Sequence, residues 1–252
     1  MKNRRSLSQI EMALFGRQHY IALWNMLLNY PSFFSIFIHY LTGIGKYPSK
    51  VSIRSPVGII TPTLYSHHDL LTVNEIFCRH DYLATRDIKV VVDLGSNIGI
   101  SALYWLTRNH SSKCYLYEPD ERNIVRLKLN LKGFEDRYII HNNAVSDQSG
   151  KLEFGRESTG RYGGLGIETG NVITVDCLEI NSVIENILQQ NESIDILKID
   201  TEGVELKTVT ALKPKYAKKI KRIYIEAEPD TAIHPDIFRR EQYGSVCKLI
   251  KI

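Results

Sequence analysis

The sequence has few cysteines and no closely spaced pair of them. The four, far apart in the chain, are Cys78, Cys114, Cys177 and Cys247. Zinc sites and redox dithiols use CxxC pairs, so neither is expected, and isolated thiols suit a reducing cytoplasm. Low-complexity sequence is also missing: 43% of the 252 residues are hydrophobic and 24% are charged, as in globular proteins.

The chain also lacks a large excess of charge. Lysines and arginines number 32, and aspartates and glutamates number 28, so the net charge is 32 − 28 = +4. This excess is too small to bind nucleic acid by counter-ion release unless it is concentrated on one face. We therefore expect no nucleic-acid partner. A basic stretch from Lys213 to Arg222 fits either a solvated helix end or an anion or phospholipid contact.

The stretch from Ile21 to Gly45 contains no Asp, Glu, Lys or Arg. It is long enough to span a bilayer. However, Asn25 and Asn29 would be costly in lipid, and Pro31 divides it into two short helices. A helix pair packed on the domain is the favoured interpretation, and a peripheral membrane contact remains open.

Residues 1–86 are predicted to form an N-terminal extension of helices followed by a β-hairpin and a helix. Ser8 and Glu11 resemble a capping box that opens a first helix. Residues 55–58 resemble a hairpin turn, and Asp69 resembles the N-cap of a later helix. The apolar positions that share one face of this later helix are Leu70, Val73, Ile76 and Phe77.

Residues 87–252 alternate apolar strand candidates with amphipathic stretches. The candidate strands are KVVVDLG, KCYLYEP, RYIIHNNAV, IDILKID and IKRIYIEAEP. Continuous apolar runs are typical of strands buried on both faces, so we expect an α/β fold: a Rossmann-like, mostly parallel sheet with helices on both faces. Residues 151–175 resemble a hairpin insertion whose loop, 160–170, is either a plain hairpin or a lid.

The first of these strands leads into the glycine-containing turn Asp93-Leu94-Gly95-Ser96-Asn97-Ile98-Gly99. Gly95 permits a sharp turn close to a ligand, and Gly99 permits close packing of helix against strand. Asn97 stands where a dinucleotide fingerprint has glycine. Asp93 would repel a diphosphate but could hold an ammonium, so the turn favours a cofactor with an amino-acid tail.

The next two strands end in further candidate ligands. Glu118 is placed to accept hydrogen bonds from both hydroxyls of an adenosine ribose. Asn143, after the third strand, is either an adenine contact or a turn residue.

Taken together, DLGSNIG, YEPD, NNAVSDQSG, LKIDTEGVE and IEAEP resemble the FkbM family of class I S-adenosylmethionine-dependent methyltransferases, over about residues 88 to 228. This resemblance implies methyl transfer from S-adenosylmethionine, usually to a hydroxyl. It implies that Glu118 binds the ribose and Asn143 the adenine, and that four residues surround the methionine part: Asp93, Gly95, Asn97 and Gly99. About 24 residues follow the fifth strand, 252 − 228, so one more strand, VCKLIKI, is expected and a terminal hairpin is in doubt.

Candidates for the chemistry lie where the last parallel strands end, because ligands of such sheets bind there. Asp200 is the first choice as base or acceptor-positioning residue, followed by Glu226 and His234. The alternatives are that Asp200 only caps a helix, or that Mg²⁺ binds between Asp200 and Glu226 or Glu228.

The sequence therefore predicts a methyltransferase that acts on a hydroxyl of a sugar, glycan or polyketide-like small molecule, with the substrate class taken from the resemblance. A nicotinamide-dependent oxidoreductase or epimerase is disfavoured by Asn97 and by the lack of any Tyr-x-x-x-Lys pair. A non-catalytic cofactor-binding module is the remaining alternative. The sequence leaves the oligomeric state open.

Overall fold

The computed structural model describes residues 17–156, 163–165, 171–243 and 245–252. Its contacts divide the chain into two compact units, Met1–Leu83 and Ala84–Ile252. The predicted helix start at Ser8 and Glu11 lies outside the described residues, as does most of the 160–170 loop.

The described part of the first unit begins with two helices, α1 (Arg17–Asn29) and α2 (Phe33–Thr42), and the break between them at Pro31 is as predicted. Four short strands follow, β1 (Ser49–Lys50), β2 (Ile53–Ser55), β3 (Gly58–Ile60) and β4 (Thr63–Leu64). They form two small antiparallel pairs, in which β1 pairs with β4 and β2 pairs with β3. Helix α3 (His67–Asn74) continues into a π-helical turn at Glu75–Arg79. No helix among the described residues is both long and apolar enough to cross a membrane.

The start of α3 differs from the prediction. Ser66, not Asp69, is the N-cap, and its hydroxyl accepts a hydrogen bond from the Asp69 amide at 3.3 Å. Asp69 is the N3 residue of a capping box, and its carboxylate accepts the amides of Tyr65 and Ser66. The predicted apolar face is confirmed, because all four of its residues are buried. The predicted turn at 55–58 is confirmed as well, and Ser55 Oγ donates to the Gly58 carbonyl at 2.7 Å.

The second unit contains a seven-stranded and a four-stranded sheet. Its strands are β5 (Val90–Leu94), β6 (Lys113–Tyr117), β7 (Tyr138–His141), β8 (Ala144–Ser146), β9 (Gly150–Arg156), β10 (Gly163–Leu165), β11 (Val172–Glu179), β12 (Ile194–Ile199), β13 (Ile220–Ile225), β14 (Phe238–Tyr243) and β15 (Val246–Lys251). Its helices are α4 (Ile100–Leu106), α5 (Glu121–Asn130), α6 (Ile180–Leu188), α7 (Glu205–Ala211) and α8 (Pro214–Ala217).

The large sheet has the order β14-β15-β13-β12-β5-β6-β7, and its five strands from β13 to β7 are parallel. This confirms the predicted α/β fold with a mostly parallel sheet. Every residue of β12 is buried, as expected for a central strand covered on both faces. Ile194, Leu197 and Ile199 of this strand belong to the main apolar core.

The run RYIIHNNAV forms two strands rather than one. Its first half is β7, at the edge of the large sheet, and its second half is β8 of the small sheet, which has the order β10-β9-β11-β8. The break falls at Asn142-Asn143. The predicted hairpin insertion corresponds to β9 and β11, which pair antiparallel.

The carboxyl-terminal residues form a hairpin, which corrects the expectation of a single last strand. β14 and β15 pair antiparallel along their whole length, and β15 pairs antiparallel with β13. The sequence of β14, FRREQY, has no apolar alternation because it is the outermost strand, and charged side chains are typical of such an edge.

The turn after β5 passes very close to the end of β12. Gly95 has φ +81°, and a Cβ at this position would lie 1.7 Å from the Asp200 carbonyl oxygen. Only glycine allows this approach, because both the left-handed backbone and the contact exclude a side chain.

We expect Gly95→Ala to destabilise the protein by several kcal/mol more than Gly133→Ala. Gly133 has a similar φ of +93° but no neighbour within 4 Å of its Cβ position, so its alanine variant carries only the left-handed backbone penalty of about 1–2 kcal/mol. Urea unfolding of both variants measures the difference. Equal losses would show that the close approach is not a constraint.

Candidate active site

The carboxyl ends of four neighbouring strands meet at one edge of the large sheet. The Tyr117 carbonyl, at the end of β6, accepts the amides of Gly95 and Ser96 at 3.0 Å. Beside them, the Asp200 amide donates to Leu94, and the Glu226 amide donates to Ile199, both at 3.1 Å. The structure thus places Gly95, Asp200 and Glu226 side by side, with Glu118 on the other flank.

A buried lysine joins these strand ends. Lys198 Nζ lies 3.2 Å from Asp93 Oδ1, 2.9 Å from Asp200 Oδ2 and 2.9 Å from the Gly95 carbonyl oxygen. Lys198 is opposite Asp93 in the parallel register of β12 and β5, and it precedes Asp200 by two residues. The three donors of one ammonium therefore have acceptors on β5, on the turn after β5 and on the residue that follows β12.

Solvent reaches this group of three side chains only at Asp200. The side chains of Asp93, Lys198 and Asp200 are 0%, 3% and 24% exposed. Burial alone would lower the pKa of Lys198, but the carboxylates of Asp200 and Asp93 more than offset it and raise the pKa above its usual value. Ser101 Oγ donates to Asp93 Oδ2 at 2.6 Å. Two carboxylates and one ammonium give −2 + 1 = −1, a charge suited to a cationic ligand.

Glu118 connects the turns after β5 and β6. Its Oε2 accepts the amide of Asn97 at 2.8 Å, and its Oε1 accepts the amide of Asp120 at 2.9 Å. The side chain is buried. Burial raises the pKa of Glu118 to about 7, although its hydrogen bonds with Asp120, Asn97 and Asn123 act in the opposite direction.

The other predicted cofactor residues lie around these two carboxylates. Asn97 has φ +47° and an exposed side chain. Gly99 was expected to allow packing against a strand, but its Cβ position faces Leu127 of helix α5 at 3.0 Å. Asn143 donates to the Asp176 carbonyl at 3.4 Å, whereas its neighbour Asn142 donates to the carbonyls of Glu118 and Pro119.

Asp200 does not cap the helix that follows it. The turn before α7 is capped by Glu205, whose carboxylate accepts the amides of Thr201 and Gly203 at 3.0–3.1 Å. The Asp200 carboxylate is bound to Lys198 instead. The alternative that Asp200 only caps this helix is therefore wrong.

His234 lies at the opposite edge of the sheet from Asp200, which corrects its selection as a catalytic candidate. Its Nε2 is 2.7 Å from the carbonyl oxygen of Leu212, just beyond α7. Its carbonyl accepts the amide of Phe238, the first residue of β14, and Phe238 pairs with Lys251 at the end of β15. Because β14 runs parallel to β13, the chain must return to the amino edge before β14 begins, and His234 is on this return.

Sequence reasoning missed several residues at this edge. Lys198, Ser101 and Asn142 hold the predicted ligands in place, and the rings of Tyr117 and His141 stack with centroids 4.6 Å apart. The signal for Lys198 was the spacing Lys-x-Asp in a strand that should pair with the strand containing Asp93. The described residues contain no group of three or more His, Cys, Asp or Glu side chains arranged to hold a metal ion, and Glu228 is paired with Arg240.

A family model for the methyltransferase FkbM domain matches residues 93–244. This match covers more than half of the chain and includes every strand end described above. The chain belongs to the FkbM methyltransferase family. Comparison with curated proteins gives no match.

Three solved structures resemble the chain at low sequence identity. The methyltransferase FkbM from Methylobacillus flagellatus is 16% identical with a TM-score of 0.46, and the match covers 73% of this chain and 54% of that protein, so the chain spans about half of its length. A Staphylococcus aureus protein assigned as a caffeoyl-CoA O-methyltransferase is 11% identical with a TM-score of 0.45, covering 93% and 99%. An rRNA methylase from Streptococcus thermophilus is 14% identical with a TM-score of 0.40, covering 70% and 96%.

We expect Lys198→Met to destabilise the FkbM domain by about 3–5 kcal/mol, because it leaves the carboxylate of Asp93 buried without its cation. The matched control is Lys221→Met, which removes a 2.7 Å ion pair with Asp195 at a largely exposed lysine and should cost less than about 1 kcal/mol. Urea unfolding followed by circular dichroism measures both. Similar small losses would contradict a structural role for the buried ammonium.

Glu118 should make stability fall as pH rises from 4.5, its ordinary pKa, to about 7, its pKa in the folded protein. In this range the folded state keeps a proton that the unfolded state has released, so raising the pH favours unfolding. The unfolding free energy of the parent relative to Glu118→Gln should therefore decline across this window. Parallel pH profiles for the two proteins would refute the raised pKa.

Proposed function

We propose that this FkbM domain transfers the methyl group of S-adenosylmethionine to a hydroxyl oxygen of a sugar, glycan or polyketide-like small molecule. Membership of the FkbM family supports methyl transfer. The observation that supports oxygen as the acceptor concerns Asp200, at the edge of the sheet where the parallel strands end. Its carboxylate is accessible to solvent and is held in one position by Lys198.

The residues at this edge fit the cofactor. S-adenosylmethionine supplies a methyl group activated by a positively charged sulfur, and it also has an ammonium. The excess negative charge of the Asp93, Lys198 and Asp200 group suits both cations. The same acids disfavour the diphosphate of a nicotinamide cofactor, which supports a methyltransferase over the oxidoreductase alternative.

Each predicted ligand has a role that its position supports. Gly95 and Asn97 form the turn that would border the methionine part, with Gly99 at its far end. Glu118 would accept a ribose hydroxyl at Oε2, which accepts the Asn97 amide and has a second lone pair, whereas Oε1 already accepts the Asp120 amide and, at 3.4 Å, Asn123 Nδ2. Asn143 would contact adenine. Asp93, which is buried and paired with Lys198, would attract the ammonium of the cofactor electrostatically without touching it.

Asp200 is placed to accept the proton that an acceptor hydroxyl loses during methylation. Its bond to Lys198 fixes the orientation of the carboxylate, which general-base catalysis requires. Glu226 is exposed beside Asp200 at the end of the neighbouring strand and would orient the acceptor. A non-catalytic module would not require a carboxylate that faces solvent at this position.

Calorimetric titration with S-adenosylmethionine, S-adenosylhomocysteine and NAD tests the cofactor. We expect the two sulfur compounds to bind and NAD not to bind. Glu118→Ala should weaken binding at least about tenfold, the effect of losing one charged hydrogen-bond partner, and the nearby exposed Glu121→Ala should not. Binding of NAD alone would overturn the proposal.

Asp200→Asn tests the chemistry. Asparagine keeps the shape and a hydrogen-bond acceptor for Lys198 but cannot take a proton, so cofactor affinity should be retained and turnover should fall about 100-fold or more. Release of S-adenosylhomocysteine is measured with a panel of monosaccharides and glycosides. Unchanged turnover, or a methyl group found on nitrogen, would exclude Asp200-assisted O-methylation.

A further inference from the structure

Two asparagines of helix α1 are turned toward the rest of their own unit. Asn25 Nδ2 donates to the Cys78 carbonyl at 2.7 Å, and Asn29 Nδ2 donates to the Phe77 carbonyl at 2.8 Å, both in the π-helical turn of the same unit. Tyr30, just after the helix, is buried and donates to Asn74 Oδ1 at 2.9 Å. These three hydrogen bonds fix which face of α1 packs on its own unit.

The opposite face of α1 is apolar and exposed. Its exposed residues recur at spacings of three and four, which places them on one side of a helix, and they are Tyr20, Leu23, Trp24, Leu27 and Leu28. Helix α2 and the residues after it continue this pattern with Phe34, Ile38, Leu41 and Ile44. We call these nine side chains the apolar face. Exposed apolar side chains in this number on two neighbouring helices mark an interaction site.

The charge around the apolar face selects its partner. No Asp or Glu occurs between Glu11 and Asp69, whereas Lys46, Lys50 and Arg54 follow the helices and are exposed. Basic residues beside an apolar helical surface with exposed Trp and Tyr are the features that bind anionic lipid interfaces. A second copy of the same surface would bring like charges together.

We propose that α1 and α2 dock this protein onto an anionic membrane surface, with the apolar face in the headgroup region and the nearby lysines against lipid phosphates. As far as the structure describes them, the helices have 13 and 10 residues, lengths that suit helices lying in the interface rather than spanning it. This docking is separate from methyl transfer and needs no residue of the FkbM domain.

Flotation of the full chain with lipid vesicles tests the proposal. We expect binding to vesicles of equal parts phosphatidylcholine and phosphatidylglycerol. Leu28→Ser/Leu41→Ser should weaken it on the order of tenfold or more, because two apolar side chains no longer enter the lipid. The matched control is Val125→Ser/Leu129→Ser, which replaces two exposed aliphatic side chains of α5. These side chains are 60% and 61% exposed, and those of Leu28 and Leu41 are 50% and 64% exposed.

The protein contains its own reporter of insertion. Of its two tryptophans, Trp105 is fully buried and Trp24 is 62% exposed, so a blue shift of emission on adding vesicles reports Trp24 entering lipid. Trp24→Phe should abolish the shift. Lys46→Gln/Lys50→Gln should remove the preference for vesicles with phosphatidylglycerol over vesicles of phosphatidylcholine alone.

Three results would overturn the proposal. The first is no flotation of the parent protein with either vesicle. The second is flotation that the Leu28/Leu41 and Val125/Leu129 variants lose equally. The third is self-association, measured by sedimentation velocity without vesicles, that the Leu28/Leu41 variant abolishes while vesicles bind none of the proteins; this would assign the apolar face to a second copy of the chain.

Discussion

The ammonium of Lys198 is the interaction on which the arrangement of the candidate active site depends. It is buried between two strands, and a buried charge is tolerated only when it is paired and hydrogen-bonded. Its partners are in β5, in the turn after β5 and in Asp200, the residue that follows β12. A shift of one strand against the other by a single residue would separate Lys198 from Asp93. The register of the central strand pair and the orientation of Asp200 are therefore set together.

Glu118 makes a second connection of the same kind with the opposite electrostatic consequence. Lys198 has carboxylates around it, so its charged form is favoured, whereas Glu118 is buried and its main partners are backbone amides. Desolvation outweighs these hydrogen bonds, and the pKa of Glu118 rises. A ribose hydroxyl in the same place would donate a further hydrogen bond to the carboxylate and favour its charged form. Under the proposed function, binding of the cofactor ribose would therefore offset the desolvation of Glu118.

The sequence predicted those parts of the fold that depend on local pattern. Continuous apolar runs identified the five parallel strands, and glycine positions identified the turn between β5 and α4. It did not predict β14, because an edge strand with arginine and glutamate has no apolar period to detect. The position of His234 depends on β14. Because β14 is parallel to β13, it begins at the edge of the sheet where the parallel strands start, and the chain after β13 returns to that edge through His234. One undetected edge strand therefore placed a catalytic candidate at the wrong end of the sheet.

The first unit shows a different limit of sequence patterns. The apolar residues of α1 recur with a helical period, and this period is the same whether that side of the helix faces a core or the outside. The sequence therefore favoured a helix pair packed on the domain and left a peripheral membrane contact open. What decides the orientation is the pairing of Asn25 and Asn29 with the carbonyls of the π-helical turn. A π-helical turn leaves carbonyls that α-helical hydrogen bonding would otherwise occupy, so two asparagine amides satisfy them and the leucines are left outside.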